Sequence, residues 1–327
     1  MKRSRTIRNF DTFGGYSWHV PGIGGMFTLL ALLLFGMVLG AIVLGLFMMV
    51  LPKDQAMTYA TPVFYVVQFL PAMIYSSGIS RRNALFEDGF KLDNNHFSPL
   101  GGLALALIVS VAVLASSFGL DPLNNILPPM SDKWQNAFKQ LTGGPILLTL
   151  LSVSILAPIF EEWLCRGMIL RGLLNYKRTL KDGTETRGLS PFWAIVISAV
   201  FFAAIHGNLW QGLAAFILGC LFGYVYWRTG SLKLTMLMHC VNNTFSVIIA
   251  KAFPQLEEVE SLKEILSPET YMVTVVLGLA VLAGCIWLIA KVQPLRTQGS
   301  CEIIPAAPVD LPTPPQANAP AEETPED

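Results

Sequence analysis

The sequence predicts an all-α fold, a polytopic membrane bundle of about eight transmembrane helices. Hydrophobic residues fill 53% of its 327 positions, and only 13% are Asp, Glu, Lys or Arg. A soluble domain carries about 25% charged residues. The apolar residues also gather into blocks long enough to cross a bilayer, which takes roughly 20 helical residues. Helices are expected because an open sheet cannot satisfy its backbone hydrogen bonds in lipid.

Eight apolar blocks are candidate spans, at residues 24–51, 58–78, 98–119, 144–170, 191–206, 211–227, 232–251 and 270–290. The first block follows a polar tail and has no small-residue cleavage site after it, so we expect a retained helix and not a signal peptide. Residues 192–227 must supply two short crossings and a turn. The polar turn His206-Gly207-Asn208 is therefore expected within the membrane, beside protein or a wet cavity.

Basic residues set the predicted orientation. With the N-terminus in the cytoplasm, the inside segments hold 16 Lys and Arg residues and the outside segments hold 5. This split favours a multi-pass protein of the cell membrane with both termini cytoplasmic. The net charge is zero, so no overall field favours nucleic acid as a partner.

The chain divides into four predicted parts. Residues 1–142 hold an N-terminal tail and three scaffold helices, and a short interfacial helix is expected at Ser131–Gln140. Residues 143–250 form a core whose apolar spans are interrupted by ionisable side chains, which usually mark functional sites in membranes. Residues 251–293 supply an outer loop and the last helix. Residues 294–327, rich in Pro, Ala and acid, are expected to be a disordered cytoplasmic tail.

Three clusters in the core carry the chemistry. They read Glu161-Glu162-x-x-x-Arg166, Phe202-x-x-x-His206 and His239-x-x-x-Asn243. Each pairs residues four apart, which share one face of a helix. A lone ion pair or a lone intramembrane histidine is often only structural, but all three clusters fall within 83 residues.

The two glutamates are predicted to have different roles. Glu162 and Arg166 are four apart and can neutralise each other as a structural ion pair. Glu161 is rotated about 100° from its neighbour by the helical period, so it stays available for proton transfer.

The remaining residues complete a minimal set for peptide hydrolysis by water. Glu161 and His206 would activate the water, and Phe202 would wall off the imidazole ring. His239 and Asn243 would hold the carbonyl oxygen, as oxyanion donors do. Asn242 shares the same helix face and is an alternative donor to Asn243.

A metal site is the second interpretation of the same residues. Glu161, His206 and His239 could form a two-histidine, one-carboxylate site for a divalent metal such as zinc. We prefer a site with no cofactor and no metal. The five cysteines form no CxxC pair, so neither a disulfide nor a cysteine zinc site is predicted.

At these motifs the sequence resembles the CPBP membrane proteases, named for CAAX proteases and bacteriocin-processing enzymes and also called the Abi family. Their motifs are EExxxR, FxxxH and HxxxN, and the likeness covers residues 145–250. It implies a CAAX-protease-like core of roughly eight spans, with a conical cavity opening to the cytoplasmic side. It also implies endoproteolysis without a covalent enzyme intermediate.

The predicted function is an intramembrane endopeptidase of the type II CAAX prenyl endopeptidase kind, acting on a membrane-associated protein or peptide. Two alternatives stay open. One is a non-catalytic membrane scaffold or bacteriocin self-immunity protein of the same fold. The other is a transporter or proton relay, which also uses buried Glu and His. The sequence does not identify the substrate, its prenylation or the oligomeric state.

Overall fold

The computed structural model describes residues 19–83, 93–94, 97–183, 185–254 and 259–292. The long helices of this part are α1 Ile23–Val50, α2 Lys53–Asn83, α3 Gly102–Gly119, α4 Asp132–Gly143, α5 Ile146–Asn175, α6 Pro191–Ala204, α7 Leu209–Thr229, α8 Leu232–Ala252 and α9 Pro268–Ile289. Short 3-10 helices occupy Asp121–Ile126 and Leu262–Glu264. The polytopic helical fold is thus confirmed. The predicted tail at 294–327 lies outside the described residues.

Seven described helices are long and apolar enough to cross a membrane; α4 and α6 are not among them. Helix α6 is apolar but has 14 residues, about 21 Å at 1.5 Å per residue. The prediction of two equally short arms in 192–227 is wrong, because α7 has 21 residues. Only the first crossing, helix α6, is short. Helix α4 occupies the region where a short helix was expected.

A small hairpin joins α5 to α6 and was not predicted. Strand β1, Lys177–Thr179, pairs antiparallel with β2, Glu185–Arg187, and Lys177 lies opposite Arg187. The connecting turn contains Asp182 and Gly183, and Gly183 has φ of +83°, a conformation that favours glycine. An Asp-Gly pair is a recognised hairpin signal.

The helix connections define two ends of the bundle. We call the first the hairpin end, because it carries β1 and β2 after α5. The second, the α4 end, carries α4 between α3 and α5. Contacts across the bundle agree: Arg171 Nη2 donates to His19 O at 2.9 Å at the hairpin end. At the α4 end, Lys251 Nζ donates to Gly144 O at 2.9 Å.

Helix α5 carries the Glu161-Glu162 motif and is wound as a π-helix on both sides of it, over Leu150–Leu156 and Trp163–Leu170. Such windings are rare and are frequent at functional sites. Pro158 lies inside this helix, where a proline usually breaks or kinks the chain. The structure accommodates it without a break: Ala157 N–H bonds to Ser152 O, five residues back, in the wider π pattern.

Buried side chains fill the bundle between the motif and the hairpin end. Every residue from 161 to 174 is buried. Around this stretch packs a cluster that includes Leu164, Met168, Tyr226 and Leu232. In the described part of the chain, this packed stretch lies between the Glu161-Glu162 motif and the hairpin end.

Candidate active site

Glu162 and Arg166 form a closed ion pair inside the bundle. Glu162 Oε1 lies 2.8 Å from Arg166 Nη1, and both residues are 0% exposed. Arg166 Nη2 donates to Gly219 O at 3.1 Å, and its guanidinium lies 4.4 Å from the centre of the Phe202 ring. Two hydrogen bonds and an aromatic face suit the planar guanidinium. The predicted i, i+4 pair is therefore present in the structure.

His239 joins this ion pair to the second glutamate. Its Nδ1 lies 3.1 Å from Glu162 Oε1, and its Nε2 lies 3.9 Å from Glu161 Oε2. A carboxylate only accepts hydrogen bonds, so the Glu162 contact places a hydrogen on Nδ1. The ring nitrogen that faces Glu161 is then the one that can gain or lose a proton.

A cavity of about 570 Å³ lies beside this cluster. The predicted residues that line it are Glu161, Phe202, His206, His239 and Asn243; Glu162 and Arg166 do not. Adjacent glutamates therefore occupy different environments, as the helical period predicts: one inside a packed ion pair, the other at a cavity wall.

His206 follows the end of α6 and lies in the cavity wall next to Phe202. Its Nδ1 lies 2.8 Å from the Phe202 carbonyl oxygen, which can only accept. The neutral ring therefore carries its hydrogen on Nδ1 and leaves the lone pair on Nε2. The Phe202 ring contacts both imidazoles edge-on, with centroids 5.0 Å from His206 and 5.6 Å from His239.

The turn after His206 is fixed by its own residues. Gly207 has φ of +68°, which a side chain would strain. Asn208 caps α7, because its Oδ1 accepts from Gln211 N at 2.8 Å. At the start of α7, Trp210 Nε1 donates to Pro128 O at 2.8 Å. This contact ties the turn to the linker at the α4 end.

Asn243 already has partners in the structure. Its Nδ2 donates to Val153 O at 2.8 Å, in the first π segment of α5, and its Oδ1 accepts from Asn242 Nδ2 at 3.0 Å. An amide nitrogen carries two hydrogens, so one N–H of Asn243 is left for a ligand of the cavity. The convergence of His239 and Asn243 on one oxyanion stays a prediction, since the His239 nitrogens face the two glutamates.

Metal binding was the alternative role predicted for Glu161, His206 and His239. Both histidines direct Nδ1 to an oxygen acceptor, as metal-ligating histidines do. Yet among the described residues no three His, Cys, Asp or Glu side chains are grouped closely enough to hold one ion. As arranged here, the residues do not fit a metal, and we derive no step through one.

Helices α1 and α2, predicted as scaffold, also reach the cavity. Met37 of α1 lines it, as do Tyr65 and Gln68 of α2. Gly36 lets the two helices approach so closely that an added Cβ would lie 1.9 Å from Gln68 O. These residues were not among the predicted site residues. Gln68 is a polar residue within an apolar span, the signal that drew attention to the core.

Comparison with known proteins assigns the segment that contains these residues to a family. Residues 143–245 match the family described as type II CAAX prenyl endopeptidase Rce1-like. This region is an Rce1-like domain. The matched segment contains every motif residue named above, and the resemblance noted from those motifs is confirmed.

One curated relative is similar to part of this chain. It is the "Putative membrane peptidase YdiL" of Bacillus subtilis (strain 168), 32% identical over 117 residues. The aligned part is 36% of this chain and 41% of the relative, so the chain spans less than half of that protein's length. No solved structure matches the chain significantly.

Proposed function

We propose that this chain is an intramembrane endopeptidase that hydrolyses a membrane-associated protein or peptide with a water activated by Glu161 and His206. One observation carries the proposal. Glu161, His206, His239 and Asn243 come from three separate helical regions, and all line one cavity. The Rce1-like domain and the relative's name support a peptidase reaction.

In the proposed reaction, the Glu161 carboxylate takes a proton from water while the water oxygen bonds to the carbonyl carbon. His206 Nε2, the nitrogen with the lone pair, accepts the second hydrogen of that water as a hydrogen bond and orients it. The carbonyl oxygen becomes an oxyanion and receives the spare N–H of Asn243. The C–N bond then breaks, and the proton on Glu161 passes to the leaving amine.

His239 has a modified role in this proposal. Its ring lies between the two glutamates, with Nδ1 3.1 Å from Glu162 Oε1 and Nε2 3.9 Å from Glu161 Oε2. We therefore assign His239 to positioning the Glu161 carboxylate as well as to the predicted oxyanion contact.

The first experiment compares membrane proteomes of cells that express the wild type or Glu161→Ala. A peptide released only by the wild type identifies a substrate. With purified protein in detergent, Glu161→Ala and His206→Ala should each abolish its cleavage. General acid–base catalysis contributes about 10²- to 10⁴-fold. Covalent serine and cysteine inhibitors should have no effect.

Two outcomes would change the proposal. Loss of activity on exhaustive chelation, restored by one divalent ion per protein, would replace the metal-free mechanism and keep the same site residues. Full cleavage by a well-folded Glu161→Ala protein would remove the proteolytic function and favour a scaffold or immunity protein.

A further inference from the structure

Among the described residues, those that line the site cavity extend from Glu161 and His239 toward the α4 end. Glu161 and His239 lie at its deep side, backed by the buried stretch 161–174 and its packed cluster. Its other wall residues include Phe138 and Thr142, on the helix that caps the α4 end. The arrangement is that of a pocket closed at the hairpin end.

A second cavity of about 380 Å³ adjoins the first at the α4 end. We call it the outer cavity. The two share five lining residues: Phe138, Thr142, Gln211, Ala214 and Ser246. Of these, Ser246 is exposed. The outer cavity thus lies directly beside the candidate active site, and the two share part of their lining.

The linkers that border the outer cavity are fixed by hydrogen bonds. Met130 N donates to Glu260 Oε1 at 2.6 Å. Asp121 accepts from Ser261 Oγ at 2.7 Å and from Leu262 N at 3.1 Å. Several linkers are therefore tied together around the opening, as expected of a preformed binding site.

The basic residues assign this end to a side of the membrane. Among the residues that the structure describes, 10 Lys and Arg residues fall on segments at the hairpin end and 5 at the α4 end. Basic residues in short loops stay in the cytoplasm. The α4 end is then the non-cytoplasmic end, opposite to the opening that the family resemblance implies.

From these observations we infer that the substrate is a polypeptide segment exposed on the non-cytoplasmic side. It enters at the α4 end, and its residues beyond the scissile bond lie in the outer cavity. This inference rests on the proposed peptidase function. The shared lining of the two cavities supplies the argument: a chain bound at Glu161 has the outer cavity as its neighbouring space.

The first test measures the side of access without any activity. Ser246→Cys and Lys181→Cys proteins are treated with a small charged, membrane-impermeant methanethiosulfonate, in intact cells and in inverted vesicles. Mass spectrometry reads each labelled cysteine separately. We expect Cys at 246 to react in cells and Cys at 181, in the hairpin turn, only in inverted vesicles. The reverse pattern would overturn the inference and leave the peptidase proposal intact.

The second test fills the outer cavity. Ala250 lines only that cavity, whereas Ala252, two residues on, is exposed and lines neither. Ala250→Trp should raise KM roughly tenfold or more for a long peptide substrate, since tenfold corresponds to one modest lost contact. It should leave unchanged the KM of a short peptide that covers only the scissile bond. Ala252→Trp is the matched control.

The results separate the two proposals. An equal KM for the long peptide in wild type and a folded Ala250→Trp protein would overturn the outer-cavity assignment. Unimpaired cleavage by Glu161→Ala would instead overturn the peptidase function, while the labelling result would still report the side on which the cavity opens.

Discussion

Glu162 and Glu161 are adjacent in the chain, but their side chains have very different surroundings. Glu162 is 0% exposed and contacts Arg166 and His239. Glu161 faces a cavity of about 570 Å³. The Glu162 region is a packed, charge-balanced cluster, whereas the Glu161 region has space for water and substrate.

Adjacent residues of one helix can therefore contribute separately, one to a structural ion pair and the other to a proposed catalytic site. A step of one residue turns the side chain by about 100°. That rotation sends one carboxylate into protein and the other into a cavity. His239 contacts both glutamates and so connects the two regions.

The largest expected effect on stability comes from Glu162→Gln. The change leaves Arg166 as a buried charge without its anion and replaces the charged acceptor of His239 with a neutral amide oxygen. Breaking a buried pair in this way costs about 3–5 kcal/mol. Reversible unfolding in mixed micelles measures the free energy, and melting in detergent gives the order of the variants.

Glu161→Gln is the matched control for that prediction. It replaces the neighbouring carboxylate with the same amide, but at the cavity wall, where water can solvate it. We expect a melting temperature close to the wild type and a loss of activity. Equal destabilisation by the two variants would mean that the environments of the two glutamates are not functionally distinct.

The next effect is on catalysis at Asn243. If its amide donates to the oxyanion, Asn243→Ala should lower kcat about 100- to 1,000-fold, the cost of losing one such donor. KM should change little, and residual activity should remain because Glu161 still activates the water. Single-substrate kinetics of the purified protein measure both constants. Asn242→Ala, on the adjacent residue, tests the alternative donor.

A purely structural Asn243 would give a different result. Its bond to Val153 O holds α8 against the π segment of α5. Losing only that contact would lower the melting temperature and leave kcat near the wild type once the protein is folded. This pattern would remove Asn243 from the proposed oxyanion contact.

Most of the fold and much of the candidate site follow from local patterns in the sequence. Apolar blocks give the membrane helices, and i, i+4 spacing gives the Glu162–Arg166 pair. The shared cavity wall of Glu161, His206 and His239 was expected from the coincidence of three motifs. These features depend on short-range periodicity or on polar residues in apolar spans, so a single sequence contains them.

The features that sequence reasoning missed depend on long-range packing. The contact of His239 with Glu162 joins residues 77 positions apart, and no local spacing encodes it. Gln68 reaches the cavity because glycine lets α1 and α2 approach closely. The unequal lengths of α6 and α7 depend on where the turn at 205–208 is held, and Trp210 fixes this through a contact with Pro128.

The smallest expected effect concerns helices that do not line the site cavity. Gly119 of α3 lies against α9, and a Cβ there would be 2.7 Å from Leu279 N. Small residues allow such close helix contact in membranes. Gly119→Ala should therefore destabilise the protein by about 1–3 kcal/mol, as overpacking does, while kcat of the folded fraction stays near the wild type.

Gly284→Ala on α9 is the control, since nothing lies within 4 Å of its added Cβ, and it should be neutral or slightly stabilising. Unfolding in micelles and kinetics on the same preparations measure both quantities. A fall in kcat as large as that of Asn243→Ala would show that the α3–α9 contact shapes the active site, and the separation between a catalytic core and a supporting helix pair would no longer hold.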